Sequence, residues 1–566
     1  MSASKMIIYQ LLPRLFGNTN TSVKPDGSRS MNGCGKFSAI SERALDAFCD
    51  MGITHLWLTG VIEHAIVEGY PQAGIEDGNP LLIKGKAGSP YAIKDYYDVN
   101  PDLADKVNNR MVEFEALVAR IHRKGLKVLI DFVPNHLSRV YRSDRKPKGI
   151  DDFGAKDDSG LAFSPSNNYY YLPGQPLQLP ETLLNCFPDA HYEELVARAT
   201  GNDVFRPNPG KDDWYETVKL NYGIDYRGGA KKYFDPIPDT WHKMLHILHY
   251  WAAKGVDGFR CDMAEMVPVE FWQWAITQLK STFPWLVFIA EIYQPALYRT
   301  YLKTGNFDFL YDKVGLYDTL LVVSQGKQPA THISQCWQSL QGIDKYMLRF
   351  MENHDEQRLA SRFLLGDGSK AIPAVVVAAL MHQGPLLLYN GQEVGERGEG
   401  PCGYSGDDGR STIFDYWNLP EHQKWMNEGS FDGAMLSPDQ HELRRAYCDI
   451  IDLCKQPAVT SGLFYDLVWY NRNNPAFNSD KVYAFLRYSD EQCLLVLVNF
   501  ANEKQQIRLQ LPAHALQLLN MPRPMKITFQ ALGGSYEVSI GSEELIGEGL
   551  AVVLDAYSYK VMAMTW

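Results

Sequence analysis

The sequence has no C-x-x-C pair, no apolar run near the ~20 residues a membrane span needs, and no excess of positive charge. Each absence excludes something. Nine cysteines, an odd number, are scattered from Cys34 to Cys493. This favours free buried thiols in a reducing compartment over a disulfide framework. The lack of a long apolar run excludes a membrane-spanning helix. The net charge of −12 argues against nucleic acid or an anionic membrane as partner, since both require a basic face. Met6–Leu12 is too short and too close to a turn for a signal peptide, so a cytoplasmic protein is expected. A periplasmic or secreted mature form with its signal removed is the alternative. Low-complexity tracts and long internal repeats are also missing, and no G-x-G-x-x-G follows the first strand-like segment, which weighs against nucleotide binding.

What remains is an ordinary globular composition, 45% apolar and 22% charged, over 566 residues, enough for two or three domains. Aromatic content is 12%, which suits stacking on ring-shaped ligands. One pattern recurs: an amphipathic helix, a glycine that stops it, then a short apolar strand. It appears at Ala44–Met51, Gly52 and Ile53–Leu58; at Val107–Ile121, Gly125 and Lys127–Phe132; and at Trp241–Ala252, Gly255 and the segment to Asp262. Similar units end in strands at Leu286–Glu291 and Leu386–Tyr389. Glycine after a helix and a fully apolar strand mark the αβ unit of a parallel sheet. With Met6–Leu11, Phe307–Tyr311 and Met347–Met351 the strands number eight, which predicts an α/β fold of the (β/α)₈ TIM barrel type. An open doubly wound sheet is the alternative.

About a hundred residues rich in Asn, Asp, Gly, Pro and Tyr separate the third strand from the next helix, too many for a structureless loop. The expected layout is a barrel over 1–136 and 221–455, an inserted domain over 137–220, and a C-terminal all-β sandwich over 456–566.

Polar residues gather where barrel strands end. Strand three leads to Asp131, Asn135 and His136, strand four to Arg260 and Asp262, strand five to Glu291, and strand seven to His354, Asp355 and Arg358. A lone strand-end Asp is more often a helix cap than a catalyst. Several acids on the catalytic face of one barrel need another explanation. Two carboxyls in opposite protonation states on adjacent strands suit retaining glycoside hydrolysis. Arg260, two residues from Asp262, is expected to keep it ionised as nucleophile, and the apolar stretch before Glu291 to keep that acid protonated.

The stretches Asp131-Phe-Val-Pro-Asn-His136, Gly258-Phe-Arg-Cys-Asp262, Ala290-Glu291 and Glu352-Asn-His-Asp355 resemble, in order and spacing, the four short sequence regions of the alpha-amylase family of glycoside hydrolases. The resemblance implies a hydrolase of α-1,4-linked glucans or maltodextrins that needs no cofactor for its chemistry. It implies Asp262 as nucleophile, Glu291 as acid/base and Asp355 as the third acid that stabilises the distorted sugar. Tyr91, His136, Arg260, His354 and Arg358 would contact substrate or orient the nucleophile, and Asn135 would be a ligand of a structural calcium. A transglycosylase or isomerase of the same family, and a non-catalytic carbohydrate-binding protein on the same scaffold, are the alternatives. The sequence departs from the family at Glu265-Met266, where many members carry Lys-His, so a basic sugar contact on the leaving side is missing.

Overall fold

The computed structural model describes residues 5–521 and 525–566. Eight parallel strands close into a barrel: β1 Ile7–Leu11, β2 His55–Leu58, β3 Lys127–Phe132, β4 Gly258–Cys261, β5 Val287–Ala290, β6 Phe309–Tyr311, β7 Met347–Phe350 and β8 Leu386–Tyr389. The ring is closed by β1 pairing with both β2 and β8. The barrel expected from the helix–glycine–strand units is therefore the observed one, and the open sheet is excluded.

Local chemistry sets these units. The helix Glu42–Met51 starts at Ser41, whose side chain accepts the Ala44 N–H, and stops at Gly52, whose φ of +90° an L side chain tolerates poorly. Gly258 opens β4 for a different reason. A Cβ there would lie 2.4 Å from the Val287 carbonyl oxygen, so only glycine lets β4 and β5 approach. The register follows: Arg260 stands beside Asp131 of β3 and Ile289 of β5, and Cys261 beside Ala290. Asp262 and Glu291 are thus the next residues of two neighbouring strands, ~4.8 Å apart in the sheet.

The long excursion after β3 is built from short antiparallel pairs, His136–Ser138 with Thr217–Lys219 and Tyr171–Leu172 with Ala197–Arg198. Buried Arg139 braces it, bonding Glu194 at 2.8 Å and the Tyr215 carbonyl at 2.8 Å. The C-terminal region carries β9 Leu463–Asp466, β10 Val482–Tyr488, β11 Cys493–Asn499, β12 Gln505–Leu509, β13 Lys526–Ala531, β14 Glu537–Gly541, β15 Leu550–Leu554 and β16 Tyr559–Thr565. They form one antiparallel sheet in the order β9-β10-β11-β16-β13-β14 and a two-stranded sheet β12-β15.

The helix Ile372–Leu380 is buried at all nine positions. It is apolar all round because it is covered on all sides, by β7, the helix Pro438–Leu453, β11 and β16. One continuous apolar core therefore runs from barrel residues such as Leu129 and Phe259 to Val496 and Phe529 of the C-terminal sheet.

Candidate active site

A cavity of about 280 Å³ opens above the C-terminal ends of the barrel strands. Asp262, Glu291 and Asp355 line it, with Tyr91 and His136. Beneath them Arg260, fully buried, is the hub. Its Nη1 lies 2.7 Å from Asp262 Oδ1 and 3.5 Å from Asp131 Oδ1, and its Nη2 lies 2.6 Å from Glu291 Oε1. Its Nε donates to the Tyr311 hydroxyl at 3.1 Å. The rings of Trp57, Tyr91 and Tyr311 surround the guanidinium at 5.4–5.5 Å.

One cation thus serves three buried carboxyls. This corrects the expectation that Arg260 belongs to Asp262 and that Glu291 sits among apolar groups. In addition to its ion pair with Arg260, Glu291 accepts the Met263 backbone N–H at 2.7 Å and the Tyr293 hydroxyl at 2.7 Å. Among the described residues Arg260 is the only hydrogen-bond donor to the Asp262 carboxyl, and its Oδ2 has no partner. Burial and the neighbouring Glu291 push the Asp262 carboxyl well above its usual range, against the pull of Arg260. Asp131 is pushed up to about 6 by burial, again opposed by Arg260.

The two histidines are neutral for the same reason. Burial pushes both His136 and His354 down to about 3, with Lys219 and Lys84 adding to the effect at His136 and Arg260 at His354. Gln10 Nε2 donates to His354 Nδ1 at 2.8 Å, which places the ring proton on Nε2. That nitrogen meets the Tyr91 hydroxyl and lies 3.2 Å from Asp355 Oδ2. Tyr91 stacks on the His354 ring and donates to Asp131 Oδ1 at 3.3 Å. Trp57 donates to the other Asp131 oxygen at 3.0 Å. Asp355, with its side chain 40% exposed, is the open edge of the cluster.

Arg358 does not join the site. It is fully buried, its guanidinium lies 3.9 Å from the centroid of the Tyr389 ring, Nη1 bonds Glu352 at 2.8 Å and Nε bonds Ser411 at 2.8 Å. It is absent from the cavity lining and braces the segment after β7, so the sugar contact expected of it is withdrawn.

Asn135 does not fit a calcium ligand either. Its Oδ1 accepts from the Lys219 ammonium at 2.8 Å, and its Nδ2 donates to the Gly201 carbonyl at 2.8 Å. Lys219 also pairs with Asp203 at 2.5 Å. A lysine stands where the cation would, and a divalent ion beside it would meet repulsion. Among the described residues no cluster of three or more His, Cys, Asp or Glu side chains is placed to hold a metal.

Several lining residues escaped the sequence reading: Lys84, Trp214, Glu216 and Tyr293. Tyr293 had a usable signal, lying two residues beyond a strand-end acid. The departure at Glu265 has a structural role, since its Oε2 accepts the backbone N–H groups of Tyr293 and Gln294, both at 3.1 Å. It anchors the turn that aims Tyr293 at Glu291.

Comparison with known proteins bears on this architecture directly. The family described as Alpha amylase, catalytic domain, matches residues 10–428. Alpha-amylase 3 of Dictyoglomus thermophilum is 25% identical over 453 residues, 76% of this chain and 74% of that protein. Alpha-amylase MalA of Haloarcula japonica is 23% identical over 507 residues, 88% of this chain and 56% of that one. Among solved structures, the noncanonic maltogenic alpha-amylase AmyB of Thermotoga neapolitana shares the fold with a TM-score of 0.61 at 19% identity, covering 100% of both chains. With its closed barrel, its strand-end acids and a family match across most of its length, this chain belongs to the alpha-amylase family of glycosidases.

Proposed function

We propose that this protein is a retaining glycosidase that cleaves α-1,4-glucosidic bonds in starch-like glucans or maltodextrins. The observation that carries this reading is the single Arg260 guanidinium held between the Asp262 and Glu291 carboxyls at the cavity floor. A pair of neighbouring carboxyls at one counter-charge supplies the nucleophile and the acid that the double displacement requires.

Glu291 gives its proton to the glycosidic oxygen while Asp262 attacks the anomeric carbon through Oδ2, the oxygen that has no competing donor. A covalent glycosyl-enzyme forms as the C–O bond to the leaving sugar breaks. Water, deprotonated by Glu291, then releases the sugar with its configuration retained. Tyr293 and the Met263 N–H hold the Glu291 carboxyl in place for both steps. Asp355, at the open edge, and neutral His136 and His354 take hydrogen bonds from and give them to sugar hydroxyls as positive charge develops on the ring. No step calls on a metal or cofactor.

Asp262→Asn and Glu291→Gln test the reading. Each is expected to cut turnover of maltodextrins by at least about 10³-fold while thermal unfolding shifts little, and the first product of the wild type seen by NMR is the α-anomer. Near-normal hydrolysis by either variant, or β-anomeric product, overturns it.

A further inference from the structure

The cavity contains a second polar centre that the proposed chemistry leaves unused. Lys84, from the segment between β2 and β3, and Glu216, from the end of the inserted region, meet with Nζ and Oε1 3.1 Å apart. Their side chains are only 9% and 4% exposed, yet both line the cavity that holds Asp262 and Glu291. An ion pair this buried costs as much desolvation as it returns in attraction, so the fold alone gives little reason for it. Nor is it saturated. Among the described residues Glu216 Oε2 has no hydrogen-bond partner, and the remaining polar contact of the Lys84 ammonium is a long one, 3.4 Å to the Asp213 carbonyl.

Aromatic side chains lie beside the pair. The Tyr215 ring lies 5.4 Å from the Lys84 ammonium, and Phe414, itself a lining residue, is packed edge-on against Tyr404 at 5.2 Å. The Lys84 and Glu216 side chains are 9% and 4% exposed, whereas Asp355, at 40%, marks the open edge of the cavity. The volume of about 280 Å³ equals that of roughly nine waters, the scale of one hexose with its hydroxyls.

The direction of the sugar follows from the acids. The leaving group must lie beside Glu291, which Tyr293 and Met263 hold on the β5 side. Lys84 and Glu216 enter from the inserted region together with His136 and Trp214, whose rings lie 5.0 Å apart. This buried side is assigned to the end of the sugar remote from its anomeric carbon.

We propose that Lys84 and Glu216 form a chain-end subsite, which hydrogen-bonds the hydroxyls of the non-reducing terminal sugar and closes the cavity behind it, so that glucans are taken from their ends. This rests on the roles given to Asp262 and Glu291. A chain interior, with a further sugar in place of the terminal 4-hydroxyl, would have to displace the ion pair and its aromatic backing.

The test compares 4-nitrophenyl maltopentaoside with its analogue carrying a 4,6-ethylidene cap on the non-reducing sugar. Wild-type enzyme is expected to process the free substrate at least about 100-fold faster than the capped one. Comparable rates overturn the proposal. Glu216→Gln and Lys84→Met are each expected to raise KM for the free substrate about tenfold and to shrink the free-to-capped ratio. Loss of activity on both substrates with the ratio unchanged assigns the pair a structural role and also overturns it. If the wild type cleaves neither substrate, the hydrolytic reading fails rather than this one. Calorimetric binding of free against capped maltopentaose to Asp262→Asn then decides the subsite, with preference for the free sugar supporting it and equal affinity overturning it.

Discussion

Two arginines, Arg260 and Arg358, are equally buried, and both stand close in sequence to strand-end acids. The first serves three carboxyls at the floor of a cavity; the second makes one salt bridge, to Glu352, with buried Glu396 and Glu393 also in its field, and lies outside the cavity. Both clusters hold buried carboxyls pushed upward: burial, with Glu396 adding to it, takes Glu352 up to about 7, as burial takes Asp131 up to about 6. Only the first cluster opens on a cavity where a substrate can reach its acids. Burial of an arginine among acids is thus no mark of a working site by itself; the cavity that opens onto those acids is.

The largest expected effect breaks this contrast by removing each cation in turn. Arg260→Met is expected to lower kcat by about 10²–10³-fold, because the carboxyls lose the charge that positions them. Arg358→Met leaves Glu352 buried and unpaired, and is expected to cost about 3–5 kcal/mol in urea unfolding with kcat of the folded enzyme little changed. A Glu352→Leu/Arg358→Met double variant recovers most of that loss. An Arg358→Met enzyme that folds normally but binds maltodextrin poorly would return Arg358 to the substrate site.

A smaller effect sharpens the contrast, for each arginine has a neutral histidine in its field. Burial, reinforced by Arg260, pushes His354 down to about 3, and burial with Arg358 pushes His422 down to about 4. Both titrate near 6.5 when unfolded. Below that pH the unfolded chain takes up protons that the folded chain refuses, so the stability present above 6.5 is lost as pH falls towards 3. Each histidine contributes a slope of about 1.4 kcal/mol per pH unit in that window. Denaturant titrations of His354→Gln and His422→Gln between pH 7 and 4 should both be flatter than wild type, and only His354→Gln should lower kcat/KM.

The smallest effect expected is none. Lys219 is a third buried cation, and it occupies the side of Asn135 where a calcium would sit. EDTA should therefore leave the melting temperature within about 1 °C. A drop of several degrees, reversed by calcium, would place a divalent ion there after all.

The barrel was legible because its signals are local: apolar runs of strand length and glycines at helix ends. The three acids of the proposed mechanism were legible because strand ends in such a barrel all point to one face. What surrounds them was not. Lys84, Trp214 and Glu216 lie on long excursions with no periodicity, and only the folded path brings them to Asp262. Arg358 and Asn135 were placed by their position in a motif, but which way a side chain turns depends on its partners, here Glu352 and Lys219. Tyr293 shows the intermediate case, since its spacing from Glu291 was visible and the hydrogen bond between them was not.

The apolar core that continues from the barrel into the C-terminal sheet has a consequence for how the molecule comes apart. Trp337 and Ser334 of the barrel both donate to Asp466 of β9, the Ala330 N–H donates to the Asp480 carbonyl, and the Arg487 guanidinium of β10 donates to the Met381 carbonyl at 2.9 Å. Severing the chain there would strip one face of the helix Ile372–Leu380 and leave these groups unpaired. The barrel and the β-sheet region are therefore expected to unfold together in a single transition, the sheet helping to hold the strand-end acids in register.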